Sequence, residues 1–100
     1  MSTSTVTKSK NKIVEMLNRL FYVERDVSII LFNDDSVYEG LVRQALMNVF
    51  GYSQPKAYDL MLTAHTYGSS VIWTGDKKEA EKYVLKLRTE YGLRTEVVDV

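Results

Sequence analysis

The stretch VSIILFNDD, residues 27–35, decides the fold, because it is an apolar run that ends in one carboxamide and two carboxylates. A short run of β-branched and other apolar residues, bounded by turn formers, predicts a buried strand over Val27–Phe32. The polar residues that follow, Asn33, Asp34 and Asp35, favour a turn and a helix start, since their side chains bond nearby backbone N–H groups.

A helix is predicted directly after this turn. Ser36 and Glu39 stand three positions apart and have the pattern of a capping box. The positions behind them carry a helical apolar stripe, and Gly51 is expected to end the helix. The stripe consists of Val37, Tyr38, Leu41, Val42, Ala45, Leu46, Val49 and Phe50.

A second helix is predicted between Ser53, its expected N-cap, and Gly68, its expected C-terminal glycine. Pro55 is tolerated in the first turn, where its missing N–H has no partner to lose. One face of this helix carries Ala57, Leu60, Met61, Ala64 and His65.

The remaining sequence predicts a strand, a helix and a last strand. The strand covers Ser69–Thr74, Asp76 and Glu79 repeat the pattern of a cap followed by an acid, and the last strand covers Arg94–Val100. The third helix is expected to end at Gly92 and to bury Ala80, Tyr83, Val84, Leu87 and Tyr91. The order β-α-α-β-α-β predicts an α/β (α+β) domain, a three-stranded antiparallel sheet packed with three helices.

The first quarter of the chain differs in composition from the rest. Residues 1–12 are rich in Ser, Thr and Lys, which is typical of a disordered tail. Ile13, Met16, Leu17, Leu20 and Phe21 recur at helical spacing and indicate a short amphipathic helix over residues 13–22, packed on the domain or on a partner. We therefore expect a flexible extension over residues 1–25 and one domain over residues 26–100.

Composition excludes several classes of protein. Thirteen basic residues balance thirteen acidic ones, and no basic stripe is interleaved with aromatics, which argues against nucleic acid. The absence of cysteine excludes disulfides, thiolate metal sites and cysteine nucleophiles. The most apolar N-terminal stretch, residues 13–23, is too short and too charged for a membrane span or a signal core. We expect a cytoplasmic protein with no membrane partner.

The chemistry-bearing residues allow more than one interpretation. With His65, the only histidine, the polar triplet of residues 33–35 could form a set of acceptors for a cation with several N–H donors, such as a primary ammonium. The alternative is turn chemistry alone, with His65 a core residue beside Met61. A hydrolase would need a nucleophile elbow and an oxyanion loop, and the sequence has neither. A metal site from Asp34, Asp35 and His65 would lack a second histidine. No glycine-rich phosphate loop is present, and no cofactor is expected.

Together these residues resemble the ClpS adaptor family, the bacterial N-recognins that hand N-degron substrates to a Clp-family AAA+ unfoldase. The resemblance covers about residues 26–98 and is carried by IILFNDD at 29–35, LMLTAH at 60–65, and Tyr67-Gly68. In the family the strand ends in Asn-Asp-Asp and the second helix carries Met-Leu-x-x-His, with the same spacing between the two motifs.

The resemblance implies a shallow pocket that binds the first residue of a substrate. Asn33, Asp34 and His65 would bind its α-ammonium, with Asp35 as an accessory acid. Carboxylates suit this position, because a helix N-terminus alone disfavours a cation. The pocket would be completed by Val37, Glu39, Val42, Met61, Ala64 and Leu93.

The function implied is that of a non-enzymatic adaptor for substrates that begin with Phe, Tyr, Trp or Leu. Its partner would be a ClpA- or ClpC-like unfoldase, and its N-terminal extension would take part in delivery. Two alternatives remain: a ClpS-like domain that docks on and regulates a AAA+ unfoldase without reading N-degrons, and a small metal-dependent or hydrolytic enzyme.

Several positions depart from the family's pattern. Val37 stands where a threonine is common, and Ala64 replaces a bulkier β-branched residue. Glu39 stands where a methionine often guards the entrance, so it either gates the pocket or completes the capping box with Ser36. Lys78 and Tyr83 occupy positions where the family often has an acid and a lysine for docking, which leaves the identity of the unfoldase open.

Overall fold

The computed structural model describes residues 26–100 and, before them, Lys12, Ile13 and Met16, which are helical. Most of the predicted extension therefore lies outside the described residues. Its predicted flexibility, the full extent of the helix over residues 13–22 and the boundary at residue 26 stay predictions.

The elements follow the predicted order. They are β1 (Val27–Phe32), α1 (Glu39–Phe50), α2 (Gln54–Tyr67), β2 (Ser69–Gly75), α3 (Lys77–Tyr91) and β3 (Thr95–Asp99). The predicted fold class is confirmed. The first strand has its predicted bounds, the second extends one residue further, to Gly75, and the third is one residue shorter at each end. Among the described residues, no helix is both long enough and apolar enough to cross a membrane.

The sheet has the order β2-β1-β3, with β1 antiparallel to both neighbours. The central position of β1 explains its apolar sequence, because Val27, Ile29 and Leu31 are buried. The end of β1 is tied on both sides: the Phe32 N–H donates to the Arg94 carbonyl over 3.0 Å, and the Asn33 N–H donates to the Gly68 carbonyl over 2.9 Å. These bonds place the polar triplet beside the end of α2 and the loop before β3.

The helices bury their predicted stripes against the sheet. Ile29, Leu46, Ile72 and Leu87 are the largest fully buried side chains. The prediction is wrong at the start of the first stripe, where Tyr38 is 77% and Leu41 39% exposed. Tyr38 is the N-cap of α1, so the first turn of the helix extends beyond the edge of the core.

The predicted capping box at the start of α1 is also wrong. The helix begins at Glu39 with Tyr38 as N-cap, and no side chain caps it. The Ser36 hydroxyl and N–H both donate to Asp34 Oδ1, over 2.6 Å and 3.0 Å. The Ser36 hydroxyl, which a capping box would need, is therefore already bonded within the turn that Asp34 forms.

The other predicted helix ends are confirmed. Ser53 accepts from the Lys56 N–H, and Asp76 accepts from the Lys78 N–H. Gly51, Gly68 and Gly92 end their helices with φ of 72°, 93° and 65°, in the left-handed region that favours glycine.

Four aromatic residues, Phe50, Tyr52, Trp73 and Tyr83, form a continuous aromatic cluster. Ring centroids lie 5.2 Å apart for Phe50 and Tyr52, 4.8 Å for Phe50 and Tyr83, and 5.1 Å for Trp73 and Tyr83. The Tyr52 hydroxyl donates to the Ile72 carbonyl over 2.8 Å, and burial raises its pKa. The cluster joins the end of α1 to β2 and α3, which gives Tyr83 a structural role at a position suggested for docking.

Candidate functional site

A pocket that is partly open to solvent lies beyond the end of β1. Its walls come from the polar turn, the first turns of α1, the last turns of α2 and the loop before β3. All predicted site residues except Asp35 line it, together with three that were not predicted. The lining residues are Leu31, Phe32, Asn33, Asp34, Val37, Glu39, Val42, Met61, Ala64, His65, Leu93 and Arg94.

Asp34 supplies one of the two carboxylates that line the pocket. Its Oδ1 accepts both bonds from Ser36, and no other described residue donates a hydrogen bond to its Oδ2. The Ser36 hydroxyl and then the Ser36 N–H hold the pKa of Asp34 below its ordinary value. Burial opposes them with a smaller effect, and the nearby Arg94 charge makes the smallest contribution, which also lowers the pKa. Asp34 is therefore ionised near neutral pH and can pair with a cation.

Asn33 and Asp35 act as a pair. Asn33 Nδ2 donates to Asp35 Oδ1 over 3.2 Å. This bond turns the amide so that its oxygen is the atom left to accept a bond from a ligand. Asp35 lies outside the pocket lining, so it supports the site by orienting Asn33.

His65 lies in the last turn of α2, a position where positive charge is favoured by the helix dipole. Its side chain is 52% exposed, which contradicts the alternative of a satisfied core histidine. Its Nδ1 lies 3.8 Å from Oε1 of Glu39, whose side chain is 58% exposed. The two side chains meet at the pocket although their residues are 26 positions apart in sequence.

The apolar floor of the pocket is part of the domain core. Met61, Ala64 and Leu93 are only 3–4% exposed, and Val37 and Val42 are half-buried beside them. Leu93 is held in place by its N–H, which donates to the Leu87 carbonyl over 3.1 Å. A side chain that enters the pocket thus meets apolar surface below an acceptor-bearing rim.

Leu31, Phe32 and Arg94 were not predicted as lining residues. Leu31 and Phe32 could have been inferred, since they directly precede the polar triplet on the same strand. Arg94 is brought to the site by the pairing of β3 with β1, which no local signal reveals. Its guanidinium lies 5.3 Å from the centre of the Phe32 ring.

The arrangement favours binding of an organic cation over binding of a metal. Within the described residues, no three His, Asp or Glu side chains are close enough together to hold a metal ion. The site offers an ionised carboxylate, an amide oxygen and an imidazole nitrogen beside apolar surface, which suits a group with several N–H donors and an apolar substituent.

Comparisons with known proteins identify the family to which this chain belongs. The family model for the ATP-dependent Clp protease adaptor protein ClpS matches residues 22–96. The Clp protease adapter protein ClpS of Synechococcus elongatus is 34% identical over 70 residues, which cover 69% of this chain and 73% of that protein. The ClpS of a second Synechococcus strain is 36% identical over 66 residues, 65% of this chain and 71% of its own length.

A solved structure gives the same fold. The structure of Agrobacterium tumefaciens ClpS2 bound to L-phenylalaninamide superposes with a TM-score of 0.69 and 24% identity, covering 78% of this chain and all of that one. This likeness shows that the two proteins share the small α+β fold. The chain belongs to the family of ATP-dependent Clp protease adaptor proteins, and the resemblance drawn from its motifs is confirmed.

Proposed function

We propose that this adaptor binds the first residue of N-degron substrates, namely Phe, Tyr, Trp or Leu, and delivers them to a Clp-family AAA+ unfoldase of the ClpA or ClpC type in the cytoplasm. The observation that carries the proposal is the pocket itself. It combines the Asn33, Asp34 and His65 acceptors with a buried apolar floor.

The acceptors and the apolar floor of the pocket complement the two parts of an N-terminal residue, its ammonium and its side chain. An α-ammonium has three N–H donors, and Asn33, Asp34 and His65 offer one acceptor each. The apolar floor stabilises a large side chain by about 2 kcal/mol, and the ionised Asp34 fixes the charged N-terminus. The ligand of the related ClpS2, L-phenylalaninamide, has both groups: a free α-ammonium and an apolar ring.

Acetylation of the peptide N-terminus tests the proposal directly. A Phe-initiated peptide should bind in calorimetry, and its Nα-acetyl form should not, because acetylation removes the charge and two donors and leaves Asp34 without a cationic partner. A Gly-initiated peptide is the control for the apolar floor and should bind much more weakly. Equal binding of the free and acetylated peptides would sink the proposal.

Delivery is tested separately with a degradation assay. A variant that lacks residues 1–23 should bind the Phe-initiated peptide normally, since the pocket lies wholly within residues 31–94. It should deliver a Phe-initiated substrate to the unfoldase more slowly than the full chain does. Equal degradation rates would rule out a delivery role for the extension, and docking without any peptide binding would favour a regulator that does not read N-degrons.

A further inference from the structure

Glu39 and His65 face each other at the pocket from two different helices. Glu39 is the first residue of α1, and His65 lies in the last turn of α2. The Glu39 Oε1 to His65 Nδ1 distance is 3.8 Å, and both side chains are more than half exposed. Since Ser36 is bonded to Asp34, the carboxylate of Glu39 is not part of a helix cap and is available to His65.

A carboxylate beside a neutral imidazole determines which of the two ring nitrogens carries the proton. An ionised carboxylate only accepts hydrogen bonds, so the nitrogen that faces it must carry the hydrogen. A neutral imidazole has one N–H, and a hydrogen at Nδ1 therefore leaves Nε2 with its lone pair. We infer that Glu39 is a positioning residue that selects the Nδ1–H tautomer of His65 and so keeps Nε2 as an acceptor for the substrate ammonium.

This selection matters because the opposite tautomer presents an N–H to the ammonium at Nε2. Two donors then face each other, and one of the three acceptors is lost. A free histidine side chain favours that opposite tautomer, so a neighbouring acceptor is needed to reverse the preference. The apparent affinity for a ligand falls in proportion to the competent fraction of the protein.

The geometry requires only a small adjustment. The 3.8 Å separation must shorten by about 1 Å to reach the length of a charge-assisted hydrogen bond. The Glu39 side chain is 58% exposed, so it has room to rotate toward the ring. The inference rests on the proposed function for the nature of the ligand, but the tautomer is a property of the unliganded protein and can be measured there.

His65 is the only histidine among 100 residues, so its ring nitrogens can be observed without ambiguity. Long-range ¹H–¹⁵N correlation spectra of the ¹⁵N-labelled full chain, recorded above the pH at which the ring titrates in the same spectra, should show a protonated Nδ1 and an unprotonated Nε2. Glu39→Gln should retain this pattern, because the amide oxygen still accepts. Glu39→Met, of similar length but without a strong acceptor, should shift the ring toward Nε2–H.

Peptide binding supplies the second readout. Glu39→Met should weaken binding of a Phe-Ala peptide by about three- to tenfold, in line with the lost fraction of competent tautomer, and Glu39→Gln should restore it. In a His65→Ala background the same Glu39→Met change should have little further effect, since the residue acts through His65.

Failure of this inference and failure of the proposed function give different results. An Nε2–H tautomer in the unmodified protein, or an unchanged tautomer in Glu39→Met, overturns the inference even if Phe-initiated peptides bind. An Nδ1–H tautomer that depends on Glu39 in a protein that binds no such peptide leaves the positioning intact and overturns the proposed function. Equal loss of affinity from Glu39→Met with and without His65 assigns the effect to pocket shape and overturns the inference.

Discussion

The aromatic cluster and the pocket use their polar atoms in opposite ways. In the cluster the Tyr52 hydroxyl donates to the Ile72 carbonyl, and the rings pack at 4.8–5.2 Å. In the pocket, the hydrogen bonds recorded among the described residues leave an oxygen of Asp34 and the Asn33 amide oxygen available beside a half-exposed His65. Polar groups whose hydrogen bonds are all made within the protein stabilise the fold. Polar groups that neighbours orient but that can still accept a hydrogen bond are available to a ligand.

The largest expected effect is on the stability that the cluster provides. Trp73→Ala removes the ring that packs edge-on to Tyr83 and covers the backbone of Gly75. The free energy of unfolding should fall by about 3 kcal/mol, and the Tm by more than about 10 °C, as measured by circular dichroism. Binding of a Phe-initiated peptide in the cold, where the variant is still folded, should change by less than about twofold.

Leu85→Ala is the matched control for this experiment, because Leu85 is an apolar residue on α3 that is 59% exposed. It should change stability by less than about 0.5 kcal/mol. If folded Trp73→Ala protein fails to bind peptide, the cluster and the pocket are not independent and the comparison fails.

In the pocket, by contrast, we expect a substitution to weaken peptide binding and to leave stability nearly unchanged. Asp34→Asn keeps an oxygen that can accept from Ser36 but removes the charge that pairs with an ammonium. A hydrogen bond to a charged group contributes about 1.5–3 kcal/mol, so binding should weaken roughly 10- to 100-fold with little change in Tm. Asp59→Asn, an exposed acid on α2 outside the pocket, removes the same charge and should bind normally. Equal weakening by both variants would point to a general effect of net charge.

Two glycines with positive φ, one near each region, allow the two regions to be compared. Gly51 and Gly68 both have positive φ, and a Cβ at either would meet no atom within 4 Å. Replacing each by Ala should therefore cost about 1–2 kcal/mol of stability from the backbone alone. Only Gly68→Ala should also weaken peptide binding, because the Gly68 carbonyl accepts from the Asn33 N–H. Gly51 lies between Phe50 and Tyr52, and a loss of binding in Gly51→Ala would show that damage near the cluster spreads to the site.

A smaller effect should appear in the pH dependence of stability. The pKa of Asp34 is lowered in the folded protein from an ordinary value of 3.8, chiefly by the Ser36 hydroxyl. A depressed pKa contributes stability that is present above the unfolded-state value and is lost as the pH falls through the folded-state value. The Tm of Ser36→Ala should lie below that of the parent near neutral pH, and the two should converge below about pH 4. Ser36→Thr keeps a hydroxyl and should follow the parent, while a gap that is constant with pH would contradict the linkage.

Local signals made most of this structure predictable, and the wrong helix cap was predicted where two local signals competed. Ser53 and Asp76 cap their helices as predicted, because each has one backbone N–H within reach. Ser36 had two possible roles, the N-cap of α1 and a donor to Asp34. Its hydroxyl donates to Asp34, which lies two residues earlier in the sequence, and so it does not cap the helix. Arg94 was missed for a different reason, since the register between β3 and β1 is a property of the whole sheet.

The smallest expected effect concerns the second residue of a bound peptide. Glu39 and Arg94 both line the pocket and have opposite charges. The charge of Arg94 is partly offset by nearby Asp34, whose pKa it helps to lower, so the charge of Glu39 should dominate at the rim. Phe-Lys peptides should bind better than Phe-Glu peptides by a few-fold, since an exposed charge pair contributes about 0.2–1 kcal/mol, and the preference should fade with salt. Glu39→Gln should bring the ratio toward one while a Phe-Ala peptide binds as before, and Arg94→Gln should raise the ratio. If neither variant changes the ratio, the charges at the rim do not reach the second residue, and Glu39 acts on the ligand only through His65.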